Sequence, residues 1–403
     1  MTLSGILSEF RSSKNSKTRK LKTLWQLILN DGPIRAETLS EKANMNGATC
    51  ARLLDELSRL GLISAAELGQ STGGRKPILY SVNPDRGRLA GIEISNIYST
   101  IVLQNLKLDV LATCKIKAAG QETPQVLLER LLTRLLSLLE EHHLSTDDLL
   151  GIGIAADYTL PPGSDRRAMN DYLIPLLREM AESRTGCQVT IGSGVNFAAL
   201  AEYRLRHKES RRLFFTTCDA EIRSSTILSE PVRFMPPGSE NAFGHMTLDL
   251  HGRACECGSF GCLNQYSSLE AIRKTVIQHL RRGKASVITS LVSDEQEIDY
   301  HVIFKALELA DPICTDALEE AAYYYGLAIA NTILSFQPDV VICGGTLTPK
   351  HTFFATVQKT VAQKLAGFPQ INTRIVPAFD SYEVVSQGAG AMVLESLLSD
   401  TPR

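Results

Sequence analysis

Gly244–Cys262, reading GHMTLDLHGRACECGSFGC, is the stretch around which the rest of the chain can be placed. It offers one imidazole and three thiols, at His245, Cys255, Cys257 and Cys262. Cys255 and Cys257, one residue apart, cannot easily bridge each other, yet both can reach one metal from a tight turn. Gly252, Gly258 and Gly261 supply the permissive backbone that a loop wound around an ion needs. Three sulfurs and one nitrogen close a tetrahedral shell, which suits a structural Zn2+ rather than a catalytic one with an open position. His251 is a second imidazole in the same stretch and an alternative fourth ligand. Free cysteine is often simply buried, but an accidental cluster of this density is the weaker reading.

With 403 residues the chain is too long for one ordinary core, and two or three domains are expected. A composition of 44% hydrophobic and 21% charged residues, with net charge −2, is that of a soluble globular protein. No apolar run approaches the roughly 18 residues of a membrane span, and the opening residues lack a signal-peptide core. Nine cysteines, odd in number and mostly scattered, fit a reducing compartment with one metal site rather than disulfides. The expected location is the cytoplasm, without membrane insertion. Charge is unevenly spread. Residues 1–88 hold 14 Lys and Arg against 8 Asp and Glu, a local +6, which leaves −8 for the remainder. A basic head on an acidic body suggests that the head alone meets a polyanion.

In the head, Leu21, Leu24, Trp25 and Ile28 recur at helical spacing, predicting a helix over about 20–30 that Asp31-Gly32-Pro33 breaks. Residues 35–43 form a second short helix. Asn46 can cap a third that begins at Gly47, buries Leu53, Leu57 and Leu60, and ends before Gly61. Three short helices with a tight turn before the last make a helix-turn-helix. The exposed start of its third helix would place Asn46, Ala48, Thr49 and Arg52 against base edges and phosphates of double-stranded operator DNA. The following stretch, 62–82, reads as a two-stranded wing whose tip carries Arg75 and Lys76, cations suited to a minor groove.

From Leu89 the pattern turns to strands, with runs at 89–95, 99–106 and 109–116. A long amphipathic helix follows at 126–143, then a strand at 149–157. Gly151 and Gly153 in that strand are expected to allow close packing. A short strand at 189–191 feeds a helix at 195–207. Strands at 211–219 and 223–229 precede the cysteine loop. The last third alternates helix (314–336), strand (339–345), helix (351–365), strand (371–377) and helix (386–398). This is a mixed α/β body in which the strand-helix pattern occurs twice, as in a two-lobed architecture.

The head, the GHx9CxCx4C loop, PDVVICGG at 338–345 and QGAGAMVLESL at 387–397 together resemble the ROK family of repressors, open reading frames and kinases. Within it the chain resembles the branch of N-acetylglucosamine and xylose repressors, over essentially its whole length. The resemblance implies a winged helix-turn-helix over residues 1–88 joined to a two-lobed, actin-like sugar-kinase body over 89–403. Lobe 1 would span about 89–190 and lobe 2, with the zinc loop, about 191–385; the final helix would return to lobe 1. It also favours His245 over His251, because this histidine touches the sugar as well in sugar-binding relatives.

Set against the family's kinase pattern, the departures share one direction. Glu93-Ile94-Ser95-Asn96-Ile97 stands where the first phosphate loop would be. Asp219–Ser225 replaces a glycine-rich second one, so backbone N–H groups lose their close approach to phosphate and two carboxylates repel it. The catalytic Asp position falls on Gly194, which cannot take a proton from a sugar hydroxyl. Ala242 and Asn264 replace two sugar-binding Glu residues, leaving His245, Asn264 and Asn196 as ligand-contact candidates. Asp157, Asp165 and Asp219 are further candidate pocket carboxylates. The expectation is a regulator without kinase activity, working as a homodimer or homotetramer with structural zinc. Its effector would be a sugar, a sugar phosphate or a protein partner.

Overall fold

The computed structural model describes residues 3–12, 15–67, 78–95, 98–118, 122–156, 166–228, 234, 238–379 and 383–398. Arg75, Lys76, Asn96, Asp157 and Asp165 lie outside these. The chain divides into two compact units: residues 1–198 with 382–403, and residues 199–381. No helix among the described residues is long and apolar enough to cross a membrane.

The first unit opens with helix α1 (Leu3–Ser12), which sequence patterning did not predict. Its Ile6, Leu7 and Phe10 are buried, and Phe10 meets Trp25 with ring centroids 5.9 Å apart. Helix α2 (Ser16–Asp31) starts four residues earlier than expected, because the Asn15 side chain accepts from the Lys17 N–H and caps it there. It is followed by β1 (Ile34–Arg35), α3 (Ala36–Lys42) and α4 (Gly47–Arg59). Gly61, at φ +70, lets the chain leave α4 through the left-handed turn that glycine favours. Strands β2 (Ile63–Glu67) and β3 (Ile78–Val82) complete an antiparallel three-stranded sheet of order β1-β3-β2.

Strands β4 (Arg88–Ile94), β5 (Tyr98–Asn105) and β6 (Val110–Lys117) are followed by α5 (Pro124–Glu141), β7 (Leu149–Ala156), α6 (Arg166–Thr185), β8 (Val189–Gly192) and α7 (Gly194–Arg206). The five strands form one sheet of order β6-β5-β4-β7-β8. Alternation along β4 and β7 decides what each face carries. Ile92, Ile94, Ile152 and Ile154 share a core with Leu127, Leu128, Leu131, Leu132 and Leu135 of α5. Each such buried side chain contributes about 1.5–3 kcal/mol. Gly91, Gly151 and Gly153 occupy the opposite face.

The second unit holds β9 (Arg212–Cys218), β10 (Ile222–Leu228), α8 (Asn264–Ser267), α9 (Leu269–Arg281), α10 (Ile288–Leu291), α11 (Tyr300–Glu308), α12 (Pro312–Phe336), β11 (Val340–Gly344), α13 (His351–Leu365) and β12 (Arg374–Pro377). Its sheet runs β10-β9-β11-β12, with β11 parallel to both neighbours and β10 antiparallel to β9. The Asp311 carboxylate caps α12 by accepting the Cys314 N–H at 2.9 Å. Tyr325 of α12 is fully buried and donates to the Thr216 hydroxyl at 3.0 Å, fixing helix to sheet.

The chain returns to the first unit as α14 (Val384–Leu398), which lies on the glycine face of the five-stranded sheet. A Cβ on Gly153 would stand 1.9 Å from the Ala389 carbonyl oxygen, and one on Gly91 would stand 1.8 Å from that of Ser386. The glycines of GIEIS and GIGIA therefore make room for a helix backbone. Gly153→Ala is expected to push α14 off the sheet and cost about 3 kcal/mol, read by chemical denaturation. A stability equal to wild type would show that the sheet accommodates the methyl.

Candidate metal centre and the exposed face of the head

Two isolated β-bridges, Thr247 with Cys262 and Ala254 with Phe260, fold the 244–262 segment back on itself. Between them the Cys255 N–H donates to the Ser259 carbonyl at 2.9 Å and the Gly258 N–H to the Cys255 carbonyl at 3.0 Å. Gly258 (φ +85) and Gly261 (φ +66) take left-handed backbone, and a Cβ on Gly261 would stand 1.7 Å from the Asp249 carbonyl oxygen. Arg253 anchors the loop from below. Its guanidinium donates to the Gln265 carbonyl at 2.8 Å and to Glu320 at 3.0 Å, and it lies over the Tyr266 ring, which stacks on Tyr324. Sequence reasoning gave Arg253 no role; Glu320 lies 67 residues away, beyond any local pattern.

This scaffold brings the four expected donors together. One ligand atom each from His245, Cys255, Cys257 and Cys262 lies within 4.8 Å of all the others. His245 Nδ1 is 3.6 Å from Cys255 Sγ, and Cys257 Sγ is 3.6 Å from Cys262 Sγ. Zinc–sulfur bonds of about 2.3 Å and zinc–nitrogen bonds of about 2.0 Å at tetrahedral angles require edges of roughly 3.5–3.8 Å. The donor chemistry and these two 3.6 Å edges fit a tetrahedral metal ion such as Zn2+, the remaining pairs lying within 4.8 Å. His251 is exposed and outside the cluster, with its backbone N–H on the Asp249 carboxylate at 3.0 Å. Hydrogen bonding from the Ser259 backbone holds the Cys257 thiol below its ordinary pKa, while burial pushes that of Cys262 up to about 12. In the metal-free loop Cys262 is a neutral thiol near neutrality, and a metal must displace its proton to bind.

The ligand-contact candidates fall in both units. Asn264 turns inward: its side-chain oxygen accepts the Ile222 N–H at 2.8 Å, and its amide packs against Gly244. Asn196 belongs to the first unit, whereas His245 and Asn264 belong to the second. Asp219, at the β9–β10 turn, accepts from the Thr346 N–H at 2.7 Å and from the Thr346 hydroxyl at 2.6 Å. Gly345 beside it sits at φ +88, and a Cβ there would meet the Asp219 carboxylate. Backbone N–H groups around a left-handed residue make a natural anion seat, and here the chain's own carboxylate takes it. Between Asn264 on one side and Thr346 on the other, the β9–β10 hairpin is held by side chains.

In the head, the Asn46 side chain accepts the Thr49 N–H at 2.8 Å and so serves as the α4 cap. Cys50, Leu53, Leu54 and Leu57 are buried. The opposite stripe exposes Ala48, Ala51, Arg52, Asp55, Ser58 and Arg59, while Thr49 is half-buried at its margin. Ala51 and Asp55 were absent from the expected contact set, although extending the helical period from Ala48 and Arg52 leads to both.

A family model described as ROK family matches residues 89–396. The xylose repressor of Caldicellulosiruptor bescii is 26% identical over 386 residues, spanning 92% of this chain and 94% of the relative. Among solved structures, a ROK family transcriptional regulator, a homologue of the Escherichia coli MLC protein, superposes with TM-score 0.73 at 22% identity, covering 95% of this chain and 97% of its own. The ROK hexokinase of Thermus thermophilus superposes with TM-score 0.60 at 20% identity and covers 75% of this chain and 97% of its own. These likenesses establish a mixed α/β fold of the ROK sugar-kinase type. Matched by the family model over most of its length, the chain belongs to the ROK family.

Proposed function

We propose that this protein is a cytoplasmic transcriptional repressor of carbohydrate-related genes that binds operator DNA and carries a structural zinc ion. One observation carries the reading. A basic head with an exposed α4 stripe precedes the ROK body, and matches to repressors span head and body, whereas the hexokinase match covers a share close to that of residues 89–396 alone. In this reading α2, α3 and α4 with the three-stranded sheet form a winged helix-turn-helix. Ala48, Thr49 and Arg52 face base edges from α4, and Arg75 and Lys76 reach the backbone or minor groove from the wing. A homodimer would place two such helices about 34 Å apart on a palindromic site.

Kinase chemistry is disfavoured by this chain's own residues. Gly194 offers no base, and Asp219 occupies the anion seat beside Thr346. Bound zinc would supply rigidity to the loop and no reactive position. A sugar or sugar phosphate remains the expected effector, acting through its differential affinity for two body states; the inward turn of Asn264 favours one shaped differently from the kinases' substrates. The test is selection from a random duplex library with zinc-loaded full-length protein, alongside a thermal-shift panel of sugars, sugar phosphates and ATP. Enrichment of a palindromic motif, with about 2.7 kcal/mol of stabilisation from one sugar at 100 times its Kd, supports the reading. No enriched motif, or ATP turnover dependent on a sugar, overturns it.

A further inference from the structure

The α4 stripe poses a question that the repressor reading does not answer: why a carboxylate sits on a surface meant for a polyanion. Ala48, Ala51, Arg52 and Asp55 fall at i, i+3, i+4 and i+7, all exposed. That is the spacing by which a helix lying in a major groove presents base-reading side chains. Gly47, Ala48 and Ala51 keep the first two turns thin, and a Cβ at Gly47 would meet nothing within 4 Å. A thin face lets the helix backbone come close to the groove floor, where alanine methyls match the thymine methyl. Arg52 is the only cation in the first two turns of this face, and bidentate pairing with guanine O6 and N7 suits it. Asp55 lies one turn further on. Neither Arg52 nor Asp55 makes an ion pair among the described residues.

A free carboxylate near phosphates weakens binding to every sequence through like-charge repulsion. At the groove floor it also repels the acceptor edges of guanine and thymine, O6, N7 and O4. It is favourable only where a base presents an amino group in the correct place, and the pairing that geometry prefers for Asp is the N4 amino group of cytosine. A carboxylate so placed would act chiefly by exclusion, which is how binding sites obtain selectivity beyond attraction.

We propose that Asp55 is a specificity-determining residue for the operator, selecting cytosine next to the guanine read by Arg52 and rejecting guanine and thymine there. This rests on the operator-binding reading above. The experiment compares full-length zinc-loaded wild type with Asp55→Ala and Asp55→Asn in random-library selection, followed by titration of the selected duplex and a scrambled one. Asp55 is exposed, so both variants keep the fold. The expected result has two opposite signs. Preference for cytosine at one position per half-site falls by roughly tenfold in both variants, while binding to scrambled DNA at low salt tightens in Asp55→Ala. Unchanged base frequencies at every position, with a motif still enriched, would overturn the role of Asp55 and leave operator binding standing. A library from which wild type enriches no motif would overturn operator binding, and this inference with it.

Discussion

Cys262→Ala is expected to reduce the zinc content of purified protein from about one per chain to none. Cys262 is fully buried beside the Thr247 bridge, so its loss removes the ligand that would link that bridge through the metal to the Cys255–Cys257 turn. Loss of a structural metal belongs among the few single changes that cost about 4 kcal/mol or more. For a unit of this size that corresponds to a fall of roughly 10 °C in Tm. The unfolding is expected to be local first, because Arg253 still ties the segment to Glu320 and Gln265. His245→Ala should likewise lose the metal, and His251→Ala should keep it; zinc retained by His245→Ala and lost by His251→Ala would reverse the ligand assignment. The pH dependence has a defined sign. Because the Cys262 proton must leave for the metal to bind, zinc affinity falls as pH is lowered, and chelator-driven release is faster at pH 6 than at pH 8. Metal analysis across that range, with a thermal melt at each point, checks both statements.

Arg52→Ala carries the second large effect. A bidentate arginine–guanine contact discriminates by about 1–3 kcal/mol, so affinity for the selected operator is expected to fall about 10- to 100-fold. The side chain is exposed and projects from the helix face opposite Leu53 and Leu54, and thermal stability should stay within about 0.5 kcal/mol of wild type. Scrambled DNA should be bound only slightly less well, since one cation is lost from a head with a local +6. Titrations at two salt concentrations separate the two terms. Equal affinity of Arg52→Ala and wild type for the operator would remove α4 from the groove.

The cluster of donors was legible because all four fall within eighteen consecutive residues, where spacing alone constrains geometry. The head was legible for a similar reason: capping Asn46, buried Leu53 and Leu57, and Gly61 all act within one helix. Gly151 and Gly153 of β7 announced close packing, though not that α14 would be the element packed there, since Gly153 and Ala389 are far apart in sequence. Helix α1 escaped because three buried side chains on a ten-residue segment carry meaning only once Trp25 is beside them. Helix α6 contains Pro175, a residue that argues against helix when read locally. The ties of Asp219 to Thr346 and of Arg253 to Glu320 join residues 127 and 67 positions apart, and no local pattern encodes them.

The placement of Trp25 bears on how the protein can be followed in solution. It is the single tryptophan in the chain, fully buried between α1 and the rest of the head, with Phe10 against it. Emission excited at the red edge of the absorption band will therefore come from this one indole. Its quenching and wavelength will report whether α1 stays seated. The cysteine loop lies more than two hundred residues away in sequence and belongs to the other unit. A sugar titration that alters this emission will have recorded communication from body to head, and a silent one will not mean an empty pocket.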